Sequence, residues 1–169
     1  AIAFLVHDEQ QIERINAVRS RYDRAYPRWP PHINILFPFV PEEEFDNVFE
    51  RLEASRLKEV AAFDVVLEDV ASFKQAKDAV TFNLQPGKAN VRQMTEVFDI
   101  VRTVVPEAPP KHIPFKPHLT LGQCKKSELA EREREVRESI GPLRWTIDSV
   151  CMIARPKGDK NGIFAIKKI

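Results

Sequence analysis

The stretches that decide the fold are PHINILFPF at residues 31–39 and PHLTLG at residues 117–122. Each begins with Pro-His and continues with apolar residues at every second position, a pattern typical of a strand buried on one face. Because strand side chains alternate between faces, each histidine shares a face with the residue two positions later, Asn34 or Thr120. The two stretches therefore predict two strands, each presenting a histidine beside a hydrogen-bonding side chain.

The surroundings of the two histidines are also alike. The segments YPRWPPH (residues 26–32) and IPFKPH (residues 113–118) place aromatic, basic and proline residues directly before the histidine. Each segment follows a predicted helix and leads into a predicted strand, and the two lie half a chain apart. This period is too long for a solenoid repeat, and it fits two similar lobes that face each other.

The rest of the chain alternates strand-like and helix-like segments. Apolar β-rich runs predict strands at residues 2–6, 33–39, 63–70, 80–84, 119–123, 146–153 and 162–166. Apolar residues at three- to four-residue steps predict helices at residues 9–24, 42–57, 90–105 and 127–140. This mixture indicates the α+β class, with helices outside an antiparallel or mixed sheet. No segment resembles a linker, so we expect one domain, residues 1–169.

Composition restricts the partners. The 169 residues include 26 basic and 25 acidic side chains, a formal net charge of +1. Such a chain lacks the strongly basic face expected for binding long duplexes, whereas a short anionic ligand on a local patch fits. The two cysteines, Cys124 and Cys151, lack metal-ligand spacing and favour a reducing compartment. No apolar run approaches the ~18 residues of a membrane span, so we expect no membrane partner. We also expect a cytoplasmic or alternatively nuclear location, and a monomer.

Two histidines are suited to chemistry at phosphorus. In-line displacement needs a base at the attacking oxygen and an acid at the leaving oxygen, and imidazole serves as either near neutrality. His32 and His118 on opposite sides of one phosphate would supply both, in either assignment. Asn34 and Thr120 can donate hydrogen bonds to the non-bridging oxygens. Gly122 would let a ligand or the facing lobe come close.

Structural and metal-binding roles are the alternatives for these residues. A single histidine on a strand is most often structural, but a second histidine in the same setting favours a function. A zinc site would need a third ligand, such as His112, Cys124 or a carboxylate, in the same cleft. Neither motif contains a carboxylate, and we expect no metal and no cofactor. His7 and His112 are interpreted as surface or capping residues.

On these residues the sequence resembles the two-histidine (2H) phosphoesterase superfamily of 2′–5′ RNA ligase-like and cyclic phosphodiesterase-like proteins. The mark of that superfamily is two copies of His-x-Thr/Ser among apolar residues. Residues 117–122 match the second copy closely. Residues 31–39 match the first copy, including the Pro-aromatic pair that follows, but carry Asn34 where Thr or Ser is usual. The resemblance extends over the whole chain in element order and motif spacing.

The resemblance implies a bilobal, pseudo-twofold arrangement of two antiparallel sheets with outer helices and a central cleft. It implies that His32 and His118 are the catalytic acid–base pair and that Asn34 and Thr120 bind phosphate. It also implies substrates with 2′,3′-cyclic phosphates, 2′–5′ linkages or related RNA ends, and no metal cofactor. Asn34 can still donate a hydrogen bond to phosphate, with a different reach from Thr or Ser.

Further residues are secondary candidates for nucleotide binding. Phe73 is a candidate for stacking on a base, because related proteins often carry an aromatic residue on a central strand, with core packing as the alternative. Lys74, Arg28 and Lys116 are candidates for positive charge at the cleft mouth, with solvation as the alternative. Trp29 and Phe115 are interpreted as residues that pack the turns before the motifs.

The charges of the first helix are interpreted as a solvated face, with a patch that guides RNA as the alternative. They are Arg14, Arg19, Arg21 and Arg24, interleaved with Glu13 and Asp23.

Two functions of different classes follow from these observations. The first is a metal-independent phosphodiesterase acting on 2′,3′-cyclic phosphate ends or 2′–5′ linkages of RNA-type substrates, with ligation as the reverse reaction. The second is a non-catalytic module that binds an AMP-like nucleotide or an RNA end. The presence of both histidines favours the enzyme, and Asn34 favours the module. The expected partners are RNA ends, oligonucleotides or small nucleotides, and a purely structural role explains neither motif.

Overall fold

The computed structural model describes residues 1–155, 157–159, 162 and 165–168. Within this range the chain forms eight strands: β1 (Ile2–Leu5), β2 (His32–Leu36), β3 (Phe63–Lys74), β4 (Ala79–Pro86), β5 (Leu119–Lys125), β6 (Leu143–Ile147), β7 (Cys151–Ala154) and β8 (Ala165–Lys168). It also forms four α-helices: α1 (Glu9–Tyr22), α2 (Phe45–Glu53), α3 (Lys88–Val104) and α4 (Leu129–Ser139). Three 3₁₀ turns accompany them, at Glu42–Glu44, Arg56–Glu59 and Lys126–Glu128.

The strands form one antiparallel sheet in the order β6-β3-β4-β5-β2-β1-β7-β8. The two motif strands, β5 and β2, lie side by side in the middle, and each has three strands on its outer side. This confirms the α+β class and gives the molecule two four-stranded halves. The halves are not separate sheets, because β2 pairs with β5 where Ile33 meets Leu119. Their pairing gives partners to backbone groups that two separate sheets would leave at buried edges.

The helices follow the predicted apolar periodicity. Helix α1 begins after Asp8, whose side chain accepts a hydrogen bond from the backbone N–H of Gln11 at 2.8 Å. Helix α3 buries Met94, Val97 and Val101 at three- to four-residue steps, together with Phe98. The helix predicted at residues 42–57 is shorter, because the Ser55 hydroxyl accepts from the backbone N–H of Leu57 and begins a separate turn.

The predicted strand at residues 146–153 is wrong as one element. β6 ends at Ile147 and pairs with β3, whereas β7 begins at Cys151 and pairs with β1 in the other half of the sheet. The chain crosses between the halves at Asp148 and Ser149, two polar residues typical of turns. The predicted strand at residues 162–166 overlaps with β8 at Ala165 and Ile166. Residues 163 and 164 lie outside the described part of the chain.

One large apolar cluster joins the two halves. It contains Phe4 and Ile33 from the first half and Val65, Phe82 and Leu119 from the second. These side chains lie on the face of the sheet opposite to the motif histidines, as strand alternation predicts. A smaller cluster, on the other face of β1 and β7, consists of Ala3, Leu5, Cys151 and Ile153, with Ala1 and Trp29 packed against it. No helix in the described part of the chain is long and apolar enough to cross a membrane.

Candidate active site

The pairing of β2 with β5 brings the two motifs together. Ile33 lies opposite Leu119, and antiparallel strands run in opposite directions from that pair. Each histidine therefore lies opposite the hydrogen-bonding residue of the other motif: His32 opposite Thr120, and His118 opposite Asn34. Diagonal neighbours on such a pair of strands are about 7–8 Å apart. The two histidines thus share one face, related by the local twofold axis of the strand pair.

All four motif side chains line one cavity of about 540 Å³, which we call the catalytic cavity. Its walls also include Arg19, Asp23, Trp29, Phe73, Lys74 and Gln123. Phe73 and Lys74 reach it because β3 extends to Lys74, beyond the strand end at residue 70 that the sequence predicts. The cavity therefore combines two histidines, hydrogen-bond donors, aromatic rings and an ammonium group.

The backbone holds both imidazoles in the same way. Nδ1 of His32 lies 2.6 Å from the carbonyl oxygen of Pro30, and Nδ1 of His118 lies 2.8 Å from that of Lys116. A carbonyl oxygen can only accept, so Nδ1 donates its hydrogen in both rings. In the neutral form Nε2 then carries the lone pair. Each ring is fixed as the tautomer that takes up a proton at Nε2.

An aromatic ring packs against each histidine. The indole of Trp29 stacks on His32, with ring centroids 4.8 Å apart and 22° between the planes. Phe73 contacts His118 edge to face, with centroids 4.8 Å apart and 73° between the planes. Trp29 therefore packs against a motif side chain and lines the catalytic cavity, so its role is not limited to the turn before β2.

Burial lowers the pKa of both histidines. Loss of water around His32 lowers its pKa to about 4, assisted by the positive charge of Arg19 and by His118, while the Pro30 carbonyl and Asp23 act in the opposite direction. Burial also lowers the pKa of His118, against the effect of the Lys116 carbonyl. At pH 7 both rings are therefore neutral, and each can act as a base.

A buried ion pair supports the first motif. Arg19 is 2% exposed and Asp23 is 8% exposed, and Arg19 Nε donates to Asp23 Oδ2 at 2.9 Å. Arg19 Nη2 also donates to the carbonyl oxygen of Trp29 at 2.9 Å, which fixes the residue that stacks on His32. The interpretation of Arg19 and Asp23 as solvated residues is wrong. The signal was in the sequence, because Arg19 lies four residues after Ile15 on the apolar stripe of α1.

The other charges of the predicted first helix, residues 9–24, behave as the sequence indicates. Arg14, Arg21, Arg24 and Glu13 are exposed.

The basic candidates lie in three different places. Lys74 lines the catalytic cavity, and Lys116 lines a second cavity beside it. Arg28 Nη2 donates to the carbonyl oxygen of Arg24 at 3.0 Å on the surface, and Arg28 is not among the residues lining either cavity. Arg28 therefore lies outside both cavities in this structure.

The absence of a side chain at Gly122 allows helix α1 to pack closely against β5. A Cβ atom built on Gly122 would lie 2.5 Å from Cβ of Tyr22 and 2.8 Å from its carbonyl carbon, closer than real Cβ atoms approach. The space that the sequence assigns to a ligand or the facing lobe is therefore filled by the last turn of α1, which comes from the first half of the chain.

The candidate third ligands of a zinc site lie in different places. Asp23 lines the catalytic cavity, but its Oδ2 accepts from Arg19 Nε. Among the residues that the structure describes, no three His, Cys, Asp or Glu side chains are grouped so that they could hold a metal ion. His112 lines the second cavity, and Cys124 is not among the residues lining the catalytic cavity.

Comparisons with known proteins agree with this architecture. A putative phosphoesterase of Staphylococcus aureus (strain Newman) is 28% identical over 120 residues, which cover 70% of this chain and 68% of that protein. E. coli LigT complexed with 3′-AMP has a TM-score of 0.61 at 14% identity, covering 99% of this chain and 92% of that chain. Kluyveromyces marxianus Usb1 with uridine monophosphate has a TM-score of 0.51 at 15% identity, covering 89% and 92%. At these identities the two solved structures show a common fold.

The family match spans most of the chain. Residues 6–159, which include both histidine motifs, match the family model described as the 2′-5′ RNA ligase superfamily. The resemblance inferred from the two motifs is thereby confirmed, and the chain belongs to the 2′–5′ RNA ligase superfamily.

Proposed function

We propose that the protein is a metal-independent phosphodiesterase that acts on 2′,3′-cyclic phosphate ends or 2′–5′ linkages of RNA-type substrates. The observation that carries this proposal is the diagonal placement of two imidazoles, each held at Nδ1 by a backbone carbonyl, on one face of β2 and β5. A phosphate between them meets one Nε2 on each side, as acid–base catalysis of in-line displacement requires. The nucleotides bound to LigT and Usb1, 3′-AMP and uridine monophosphate, support a nucleotide ligand.

His32 and His118 divide the proton transfers. For a 2′,3′-cyclic phosphate, the base takes a proton from the attacking water, and the acid gives one to the ribose oxygen that leaves phosphorus. The phosphodiester anion favours protonation of a neighbouring imidazole. We assign this proton to His118, because the pKa of His32 is lowered to about 4. His32 then serves as the base.

The remaining predicted residues bind the substrate. Thr120 and Asn34 each lie opposite a histidine and donate hydrogen bonds to the non-bridging oxygens. Phe73 supplies a ring for a base, and Lys74 a positive charge near the phosphate. Arg28 has no part in this proposal.

The test is turnover by His32→Ala and His118→Ala on nucleoside 2′,3′-cyclic phosphates and on 2′–5′ oligonucleotides. Each variant should lose about 100-fold or more in kcat, the usual contribution of a general acid or base. His7→Ala, at an exposed histidine outside the catalytic cavity, is the matched control and should keep full activity. EDTA should not inhibit. Full activity in a folded His32→Ala or His118→Ala variant contradicts the proposal.

Asn34 favours a second candidate, a non-catalytic module that binds an AMP-like nucleotide or an RNA end. Its Oδ1 atom is buried and has no hydrogen-bond partner among the described residues, so a ligand donor such as a ribose hydroxyl would satisfy it. Asn34→Thr separates the two functions. An enzyme should keep its turnover in this variant, whereas a module built on the Asn34 acceptor should lose nucleotide affinity. Binding of AMP without turnover of any cyclic or 2′–5′ substrate decides for the module.

A further inference from the structure

A second cavity, of about 720 Å³, adjoins the catalytic cavity, and we call it the adjoining cleft. Residues lining both are Asn34, Phe37, Phe73, Lys74 and His118. The two spaces are therefore continuous at the position of the phosphate. The far wall of the adjoining cleft is segment 110–116, which leads from α3 to β5.

The adjoining cleft exposes large apolar side chains. Phe37 is 48% exposed and Ile113 is 71% exposed, although both are large apolar residues of the kind that folding normally covers. Exposed apolar surface at the rim of a cavity is typical of a binding site. Segment 110–116 is held in place by Phe115, which stacks on Phe98 of α3 with centroids 4.5 Å apart and 5° between the planes. The cleft therefore presents an apolar surface on a packed support.

The charges of the adjoining cleft have one sign. Lys74, Lys111 and Lys116 line it, and no Asp or Glu is among its lining residues in the part of the chain that the structure describes. Lys111 Nζ lies 5.6 Å from the centroid of the Phe37 ring. A phosphate contact is thus available directly beside a surface on which a base can stack, the combination that single-stranded nucleic acid requires.

We propose that the adjoining cleft binds the nucleotide next to the one whose phosphate lies between His32 and His118. The base packs on Phe37 and Ile113, and Lys111 contacts the phosphodiester that joins the two nucleotides. The substrate class is then a short single-stranded RNA end, not a mononucleotide. This inference rests on the proposed function and concerns what the same site selects. The net charge of +1 agrees with a contact of one or two nucleotides.

The test compares kcat/KM for a mononucleoside 2′,3′-cyclic phosphate with that for a trinucleotide ending in the same cyclic phosphate. The unaltered protein should prefer the trinucleotide by about tenfold, the scale of one stacked base and one phosphate contact. Lys111→Ala and Ile113→Ser should each remove most of that preference by lowering kcat/KM on the trinucleotide. Lys126→Ala, at a lysine outside both cavities, is the matched control and should keep the preference.

Two outcomes overturn the inference. One is equal kcat/KM on the two substrates in the unaltered protein, and the other is a Lys111→Ala variant that loses activity equally on both. If no substrate is turned over, the proposed function fails, and affinity decides the inference alone. Fluorescence anisotropy with a labelled trinucleotide and a labelled mononucleotide should then show tighter trinucleotide binding that Lys111→Ala weakens. Equal affinity for both ligands in the unaltered protein contradicts the proposal that the adjoining cleft binds a second nucleotide.

Discussion

At the scale of single residues, the proposed acid–base reaction requires one protonated and one neutral histidine, whereas burial lowers the pKa of both. In the free protein the pKa of His32 is lowered to about 4, and that of His118 is also lowered from its usual range near 6.5. The state with one protonated and one neutral ring is therefore most populated on the acidic side of neutrality. A bound phosphodiester anion raises the pKa of both rings.

This predicts different pH dependences for the two kinetic parameters. The value of kcat/KM reports the free protein, so its optimum should lie below pH 6.5 and it should decline as pH rises, because the acid loses its proton. The value of kcat reports the complex, and its optimum should lie at higher pH. Initial rates from pH 4 to 8 on a nucleoside 2′,3′-cyclic phosphate measure both. A common optimum above pH 7 for both parameters contradicts the prediction.

Arg19 is expected to contribute to both stability and rate. Arg19→Met leaves the Asp23 carboxylate buried without its partner, and loss of one member of a buried pair costs about 3–5 kcal/mol of unfolding free energy. It also releases the Trp29 carbonyl, so the ring that stacks on His32 loses its support. We therefore expect kcat to fall more than KM rises.

Urea unfolding and steady-state kinetics check both parts of the Arg19 prediction. Arg24→Met, at an exposed arginine of the same segment, should change the unfolding free energy by less than about 0.5 kcal/mol. The double variant Arg19→Met, Asp23→Leu should recover most of the stability, because no charge is left buried. A single variant as stable as the unaltered protein would show that the pair is not needed for folding.

The sequence allows the motif residues to be predicted more easily than their support. His32, Asn34, His118 and Thr120 are predictable because strand alternation is local, and two residues of spacing place each pair on one face. Arg19 is a different case. Its charge suggests solvent, whereas its position on the apolar stripe of α1 indicates burial. The carboxylate of Asp23, the carbonyl of Trp29 and the amide oxygen of Asn16 make that burial favourable, and none of these contacts can be recognised from the sequence.

At the scale of elements, the contact between α1 and β5 depends on the absence of a side chain. Gly122→Ala places a methyl group against the backbone of Tyr22, which cannot move like the end of a flexible side chain. We expect a loss of about 1–3 kcal/mol of unfolding free energy, as for other overpacked sites. Gly87→Ala is the matched control, because a Cβ atom there meets nothing within 4 Å. Equal stability of the two variants in urea contradicts the prediction.

The boundaries of elements follow from the sequence only where they depend on neighbours in sequence. The apolar alternation of β2 and β5 is local and predicts both strands. The end of β6 and the start of β7 cannot be recognised in this way, because residues on both sides of Asp148 are β-rich. What separates them is pairing with β3 and with β1, on opposite sides of the sheet, and such non-local partners leave no mark on a short window of sequence.

At the scale of the whole molecule, the two halves depend on each other through a shared core and a shared site. The motif on β2 is completed by the motif on β5, and Leu119 at their junction is fully buried in the cluster that both halves contribute to. The spacing of the two motifs predicts two similar lobes. That the lobes join into one sheet could not be predicted, because the β2–β5 pair is set by how the apolar faces of both halves pack together.

A shared core predicts that the halves unfold together. Trp29 lies in the first half, packed on His32, and Trp145 lies on β6 in the second half, 8% exposed. Each can be observed alone, in the variants Trp145→Phe and Trp29→Phe, by fluorescence during urea unfolding. Because one cluster spans both halves, each variant should give a single fluorescence transition that coincides with its own loss of far-UV circular dichroism.

Leu119→Ala makes this test specific to the junction. Removing a buried leucine side chain costs about 2–5 kcal/mol, and in a single cooperative unit the transition should move by the same amount in both single-tryptophan backgrounds. If the halves were separate domains that only touch at β2 and β5, the Trp145 transition would move and the Trp29 transition would stay in place, because Leu119 belongs to the second half. Equal shifts of both transitions identify residues 1–169 as one domain, in which a change on either motif strand alters the site and the fold together.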